Sequence, residues 1–332
     1  MQDGDDTGGA PQDAQNRAPD TGPVFEYLAR DILGETLTFV LDRHSDDWYA
    51  TRMRGAGMLS PVLPHLQALR RICGDPPPPY ADFGANIGVS ALYPARLGFP
   101  TLAVEAGARN LTLLAEAVTA NDLAPLCRPC LMAAAAGRGV ATFDEYSAWG
   151  TLVVAGRGQP FEFSRARPGE VRRSVVPTDT IAGILIQQGF ADAACIKIDI
   201  EGNELYALTG FEAIAARPAL RDLIVETNGR HCTRMGYPPQ ALWARLAELG
   251  FATYLLNGQR LAPVGPDDPQ PLPGMDVLAT RRDPAELTGA FGYAITPYSR
   301  AEAATLLAKV LANPATLDEV ARFAATQQAM IA

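Results

Sequence analysis

The sequence predicts an α/β fold in which a largely parallel sheet carries helices on both faces. Three observations predict it. From Tyr80 to Ala279, short apolar runs alternate with stretches of helical periodicity, the pattern of parallel strands joined by crossover helices. A glycine turn, Asp82-Phe83-Gly84-Ala85-Asn86-Ile87-Gly88, links the first strand of this series to its first helix. An acid, Glu105, then ends the second strand, 21 residues beyond Gly84.

The elements follow in order. Residues 1–22 are rich in Gly, Asp, Pro, Gln and Ala, with almost nothing to form a core, and are expected to be a disordered tail. Residues 23–79 read as an N-terminal extension. In it, Leu37, Phe39 and Leu41 alternate along a half-buried strand from Glu35 to Leu41. Leu63, Leu66 and Leu69 lie at helical spacing within residues 60–72, and four prolines, Pro76 to Pro79, punctuate the chain.

The sheet domain is expected over residues 80–283. Tyr80–Phe83 is a strand, and a helix follows the glycine turn to about Leu97. Thr101–Val104 is the second strand, and Leu111, Leu114, Ala115 and Val118 mark one face of the next helix. Cys127–Ala133 is the third strand. Residues 139–176, with short alternating runs broken by Gly and Pro, are expected as inserted β-hairpins. The alternation resumes with a helix from about Thr178 to Gln188, a strand at Ala194–Ile198, and a helix starting near Glu201. Asp222–Val225 is a strand, residues 239–249 a helix, and Phe251–Leu256 and Asp276–Ala279 the last strands. Residues 284–332 form a C-terminal helical extension, with two helices over 299–331 broken at Asn313-Pro314. These helices are expected to pack on the domain or on a partner chain, so a homodimer is a candidate assembly.

Composition narrows the function classes. Hydrophobic residues make up 48% of the 332 and charged residues 20%, a globular balance able to form a sizeable core. The net charge of −9 disfavours nucleic acid and anionic lipid as general partners. No apolar run is long enough for a membrane span, and no secretory signal is visible at the start, so a cytoplasmic location is expected. The five cysteines do not form a disulfide framework, and Cys127-x-x-Cys130 reads as core cysteines on a strand.

The glycine turn brings a ligand close to backbone amides at a helix N-terminus. A carboxylate at Glu105 suits the two hydroxyls of a ribose. Two cofactors fit that acid. A dinucleotide places its pyrophosphate over the turn, but Asp82 at the strand end repels it, and Asn86 stands in the middle of the glycine pattern. The same acid suits the ammonium and sulfonium charges of S-adenosylmethionine.

Ile196-Lys197-Ile198-Asp199-Ile200-Glu201-Gly202 ends a further strand. Period-two alternation puts Lys197 and Asp199 on one side, as an ion pair or as catalytic groups. Ligands of doubly wound sheets bind beyond the carboxyl ends of the strands, so Asp199 reaches the same crevice as Asp82 and Glu105. Glu201 reads equally as a helix N-terminal charge. Glu226-Thr227-Asn228 ends the next strand, and Asp199, Glu226 and Asn228 are oxygen donors suited to Mg²⁺. His231, read as a loop residue, is the candidate general base by its ordinary pKa.

At these residues the sequence resembles a family. Asp82 to Gly88 looks like the nucleotide-loop motif of the FkbM family of methyltransferases, Val104-Glu105-Ala106 resembles its second motif, and Ile196 to Glu204 is similar to its Lys-x-Asp-x-Glu-Gly-x-Glu signature. Thr178-Asp179-Thr180-Ile181 is looser. The resemblance covers residues 80–228. It implies a Rossmann-like class I methyltransferase fold with seven strands, the last pair antiparallel, and S-adenosyl-L-methionine as methyl donor. It implies that Asp82, Gly84, Asn86 and Glu105 hold the donor, and that Asp199 and Glu201 lie at the reacting end; Gly88 of the same turn is expected to bind the donor too, and strand-end placement adds Lys197 and His231 as candidate catalytic groups. The acceptor it implies is a hydroxyl on a sugar, glycan or polyketide-like product. Glu105-Ala106-Gly107 departs from the family's usual Glu-Pro. Two alternatives stand beside this reading: an NAD(P)-dependent oxidoreductase, and a non-catalytic interaction module that keeps the fold.

Overall fold

The computed structural model describes residues 24–45, 48–55, 60–146, 149–153, 171–268 and 276–297. The expected tail over 1–22 and the helices over 299–331 lie outside the described residues. The chain begins with an antiparallel pair, β1 (Phe25–Ile32) and β2 (Glu35–Asp42), joined at Leu33-Gly34. Two helices follow, α1 (Trp48–Arg54) and α2 (Val62–Ile72). Of these four, the sequence predicted β2 and α2. The inner face of β1 carries Glu26 and Arg30 beside Leu28 and Ile32, so it has no clean apolar alternation to read.

The sheet domain runs β3 (Tyr80–Phe83), α3 (Val89–Arg96), β4 (Thr101–Glu105), α4 (Ala108–Ala120) and β5 (Cys127–Leu131). An insertion then supplies β6 (Ala133–Ala134), β7 (Gly139–Tyr146), β8 (Trp149–Val153) and β9 (Arg172–Asp179). The chain returns through α5 (Ile181–Gln188), β10 (Cys195–Ile198), α6 (Glu204–Ala207), α7 (Glu212–Ala215) and β11 (Asp222–Glu226). It ends with α8 (Gly229–Arg234), α9 (Pro239–Glu248), β12 (Ala252–Asn257), β13 (Arg260–Pro263), β14 (Asp276–Thr280), α10 (Pro284–Gly289) and β15 (Ala294–Ile295).

The main sheet has the order β15-β13-β12-β14-β11-β10-β3-β4-β5. The run from β11 to β5 is parallel, and β14 lies antiparallel between β11 and β12. The expected count of seven is therefore corrected to nine among the described residues. The two extra strands are short and extend one edge beyond β12; β13 ends in Pro263, a residue suited to sheet edges. The chain starts in the middle at β3, winds outward to β5, then crosses back to β10 on the other side of β3. Strand order reverses between β3 and β10, and that switch opens a crevice beyond their carboxyl ends.

Alternation along each strand builds two cores. Tyr80, Cys195 and Ile224 face one layer with α2, α3, α4 and β2, so the N-terminal extension packs directly on the sheet. Ala81, Phe83, Ile196, Ile198 and Leu223 face the other layer with α5, α6, α7 and α9. The insertion folds as a separate four-stranded sheet, β6-β9-β7-β8, somewhat longer than the hairpins expected over 139–176. It also corrects the expected helix start at Thr178. Thr178 and Asp179 remain in β9, and the Thr180 hydroxyl accepts from the Gly183 amide at 3.0 Å, so α5 begins at Ile181.

A buried charge cluster ties the layers at the opposite end of the sheet from the crevice. Asp222, fully buried at the start of β11, accepts from Arg282 Nε at 2.8 Å and Thr280 Oγ1 at 2.7 Å, and lies 3.2 Å from His65 Nε2 of α2. His65 Nδ1 is 3.1 Å from the Tyr293 hydroxyl. Burial raises the Asp222 pKa, but His65 and Arg282 outweigh it and the carboxyl titrates below its ordinary value. Removing the carboxylate leaves Arg282 buried without its main counter-charge. Asp222→Ala is expected to cost about 3–5 kcal/mol of stability, read by urea unfolding; a loss under ~1 kcal/mol would contradict this assignment.

Candidate functional site

The site grows from the end of β3. Gly84 has φ +82°, and a Cβ there would lie 1.7 Å from the Asp199 carbonyl oxygen. Only glycine lets the β3 and β10 tips approach so closely. Asn86 then takes a left-handed φ of +52°, and its backbone amide faces the end of β4. That amide donates to Glu105 Oε2 at 2.8 Å, and the Gly107 amide donates to Glu105 Oε1 at 2.7 Å. Glu105 thus joins the two turns that follow β3 and β4. Burial, only partly offset by the Gly107 and Asn86 amides, pushes its pKa up to about 7.

These groups surround a cavity that is partly open to solvent. Of the residues expected to hold a donor, Gly84, Asn86 and Glu105 line it, and Asp82 and Gly88 do not. Asp82 is fully buried behind the wall, and Gly88 caps α3, where a Cβ would fall 2.5 Å from Leu114. Of the residues expected at the reacting end, Asp199 and Glu201 line the cavity, and Lys197 and His231 do not. Asp82, Gly88, Lys197 and His231 stand behind the residues that line the cavity.

Lys197 organises the charges behind the wall. Its Nζ is 3.3 Å from Asp82 Oδ1, 3.1 Å from Asp199 Oδ2 and 3.4 Å from the Gly84 carbonyl oxygen. Burial alone would lower the Lys197 pKa, but Asp199 and Asp82 outweigh it and hold the ammonium well above its ordinary range. Burial raises Asp82, against the pull of Lys197 and the Ser90 hydroxyl. Burial and the Asp199 charge likewise lift Asp276 to about 6.

A second cluster lies beyond β11. His231 sits on α8 and is buried, where the sequence placed it on a loop. Its Nδ1 is 2.8 Å from Glu201 Oε2 and 3.5 Å from Glu226 Oε2. Burial lowers its pKa, but Glu201 and Glu226 outweigh this and raise it to about 10. Glu201 and Glu226 beside it favour the protonated imidazole, which weighs against the expected role of His231 as general base. Burial and the Asp199 charge raise Glu226 to about 8. The trio expected for Mg²⁺ is divided. Asp199 pairs with Lys197, Glu226 with His231, and Asn228 Oδ1 caps α8 by accepting from the Arg230 amide at 3.1 Å. The three side chains that do converge, within 4.8 Å, are Glu201, Glu226 and His231.

The sequence missed two groups of site residues. Glu204 is buried and accepts from the Ile200 and Gly202 amides at 3.0 and 3.1 Å, fixing the turn that carries Glu201. Its signal was present, as the last acid of the Lys-x-Asp-x-Glu-Gly-x-Glu run. Phe143, Gly150 and Leu152 of the second sheet also line the cavity, and no local pattern announces that.

The methyltransferase FkbM domain matches residues 82–252, from the glycine turn to the start of β12. The chain belongs to the FkbM methyltransferase family. No curated protein matches it. Solved structures similar to it include the T. thermophilus 16S rRNA N2 G1207 methyltransferase in complex with AdoMet and guanosine, at 15% identity and TM-score 0.37 over 80% of this chain. The chain spans 53% of that protein's length. A SAM-dependent methyltransferase from Agrobacterium tumefaciens is 10% identical, with TM-score 0.37 over 79% of this chain and 72% of that one. The O-methyltransferase from Bacillus cereus in complex with SAH is 12% identical, with TM-score 0.34 over 70% and 96%.

The pKa shifts of this FkbM methyltransferase fix a pH dependence. Glu105 and Glu226 bind protons more tightly folded than unfolded, so their contribution falls as pH rises, from about 4.5 through about 7 and 8. His231 has the same sign: its contribution is full below 6.5 and is lost as pH rises through about 10. Calorimetry is expected to show a lower melting temperature at pH 9 than at pH 6. A melting temperature that rises across this range would contradict the buried state of these groups.

Proposed function

We propose that the chain transfers a methyl group from S-adenosylmethionine to a hydroxyl oxygen of a small molecule or glycan, with its catalytic unit at residues 80–283 and extensions on either side. The observation that carries this reading is the acidic wall. Glu105, Asp199 and Glu201 line one cavity at the switch point of the sheet. Three carboxylates repel a pyrophosphate, which disfavours a dinucleotide, and they complement the sulfonium and ammonium charges of the methyl donor. The cradle fits: glycine at position 84 keeps the floor open, and Glu105 retains lone pairs for ribose hydroxyls beyond its two backbone bonds.

When bound, the donor supplies an electrophilic methyl group on a cationic sulfur. The protein's own task is to orient the acceptor oxygen in line with that carbon and to take its proton. Asp199 is the group we assign to this. It lines the cavity, and its side chain is the most exposed of the Asp82-Lys197-Asp199 set, at 36%. Lys197 fixes the carboxylate without competing for the proton, because it stays an ammonium. Glu201, paired with His231, presents a second carboxylate to the same space. With donor and acceptor bound, Asp199 would take the proton that the acceptor hydroxyl gives up on methylation.

Titration calorimetry with S-adenosylhomocysteine tests the donor site. Micromolar binding is expected, weakened about ten- to a hundredfold in Glu105→Ala by the loss of charged hydrogen bonds. Absence of binding by folded protein would remove the donor reading. With an acceptor found among hydroxylated sugars and natural products, Asp199→Asn is expected to lower turnover about 10²- to 10⁴-fold while the donor product still binds. Full turnover in that variant would take the proton-accepting role away from Asp199.

A further inference from the structure

The cluster beyond β11 draws its side chains from three separate elements. Glu201 stands on the turn after β10, Glu226 ends β11, and His231 lies in the first turn of α8. Backbone geometry brings them together. Glu201 takes a left-handed φ of +59°. Gly202 follows at φ +99°, and a Cβ there would lie 2.6 Å from the His231 carbonyl oxygen. Only glycine lets this turn close onto α8. Glu204 holds the same turn through the Ile200 and Gly202 amides, and the Tyr237 hydroxyl donates to the Gly202 carbonyl oxygen at 2.8 Å. Asn228 caps α8 and so fixes the turn that carries His231.

These elements converge on three atoms of ligand type. Glu201 Oε2, Glu226 Oε2 and His231 Nδ1 all lie within 4.8 Å of one another. The two oxygens are 2.8 and 3.5 Å from the one ring nitrogen. That nitrogen carries at most one proton, which points one way and cannot align with both carboxylates. Glu201 Oε2 and Glu226 Oε2 are enclosed, and neither accepts a well-formed hydrogen bond among the described residues. An enclosed carboxylate oxygen without a donor is costly. A divalent cation attracts from every direction and satisfies both oxygens at once.

Spacing and chemistry name the cation. In a tetrahedral site with bonds of about 2.1 Å, neighbouring ligand atoms stand about 3.4 Å apart. Separations of 2.8, 3.5 and at most 4.8 Å bracket that distance. An imidazole nitrogen with two carboxylates suits Zn²⁺ and its first-row neighbours, whereas all-oxygen sets suit Mg²⁺. Three protein ligands also leave a coordination position open, as catalytic sites do. Glu201 lines the cavity beside Asp199, which puts the cluster next to the end assigned to the acceptor.

We propose that Glu201, Glu226 and His231 form a metal site of the Zn²⁺ class at the edge of the cavity, with its open position left for the acceptor hydroxyl. The cation takes the place of the Nδ1 proton. The acceptor role rests on the methyl-transfer reading above: a hydroxyl bound to a divalent cation is more acidic, and its proton passes to Asp199. The metal site itself does not rest on that reading.

The test is equilibrium dialysis of the full chain, first stripped with a chelator, against Zn²⁺ and against Mg²⁺, with S-adenosylhomocysteine binding and melting temperatures measured alongside. One Zn²⁺ per chain is expected, with no displacement by an equal concentration of Mg²⁺. Glu226→Gln and His231→Gln are each expected to weaken Zn²⁺ binding at least about tenfold, the smaller end of what even groups behind the ligands cost in metal sites. Both variants should bind S-adenosylhomocysteine like the wild type. If either fails to fold, Co²⁺ spectra of the wild-type chain carry the test: weak visible bands are expected, and a thiolate charge-transfer band would put the metal on cysteine and overturn the site. A folded wild-type chain that takes up no Zn²⁺, or folded variants that keep its affinity, would overturn the site and leave the donor reading standing. Zn²⁺ uptake lost in the variants, with no S-adenosylhomocysteine binding by the wild type, would keep the metal site and remove the methyl-transfer reading and the acceptor role with it.

Discussion

The ammonium of Lys197, enclosed between Asp82 and Asp199, is the interaction on which the site depends. A buried carboxylate at the end of β3 is costly alone, and a buried lysine within β10 is costly alone. Together they lock two neighbouring parallel strands at the point where the sheet changes direction. Lys197 also lies within reach of the Gly84 carbonyl, so the same cation steadies the glycine turn. Asp199 is then presented to the cavity with its position already fixed. A hydrophobic replacement would satisfy burial, but it would leave Asp199 without the partner that orients it.

Around that pair, each wall comes from a different level of structure. Glu105 is held by backbone amides of two turns, which is a local arrangement. Glu201 is set by Glu204 and by His231, which brings in α6 and α8. The apolar end is closed by a separate sheet. The cavity is thus acidic at one end and apolar at the other. A cationic group and a flat base on one small molecule match that polarity, and the methyl donor of the family has both.

Much of this was legible in the sequence because it is local. The turn from Asp82 to Gly88, the acid at the end of β4 and the pairing of Lys197 with Asp199 follow from strand periodicity and strand ends. The division between wall and support was not legible. Asp82 and Asp199 look alike in sequence, but one is fully buried and the other lines the cavity, because Asp82 lies within β3, opposite Lys197, and Asp199 lies one residue past the end of β10. His231 looked like a free base on a loop; its helix and its two carboxylate neighbours are tertiary facts that reverse its proton affinity. Phe143 and Leu152 gave no signal, since only long-range docking of the insertion brings them to Glu105. At the edges, β13 and β15 are too short to show a period, and β1 mixes Glu26 and Arg30 with Leu28 and Ile32 on its inner face.

The most direct measurement is a crystal structure of the chain with S-adenosylhomocysteine. The account predicts ribose hydroxyls within hydrogen-bond distance of Glu105, the sulfur at the Asp199 end, and Lys197 still bridging Asp82 and Asp199. A ligand bound elsewhere, or in this cavity with its ribose away from Glu105, would contradict it.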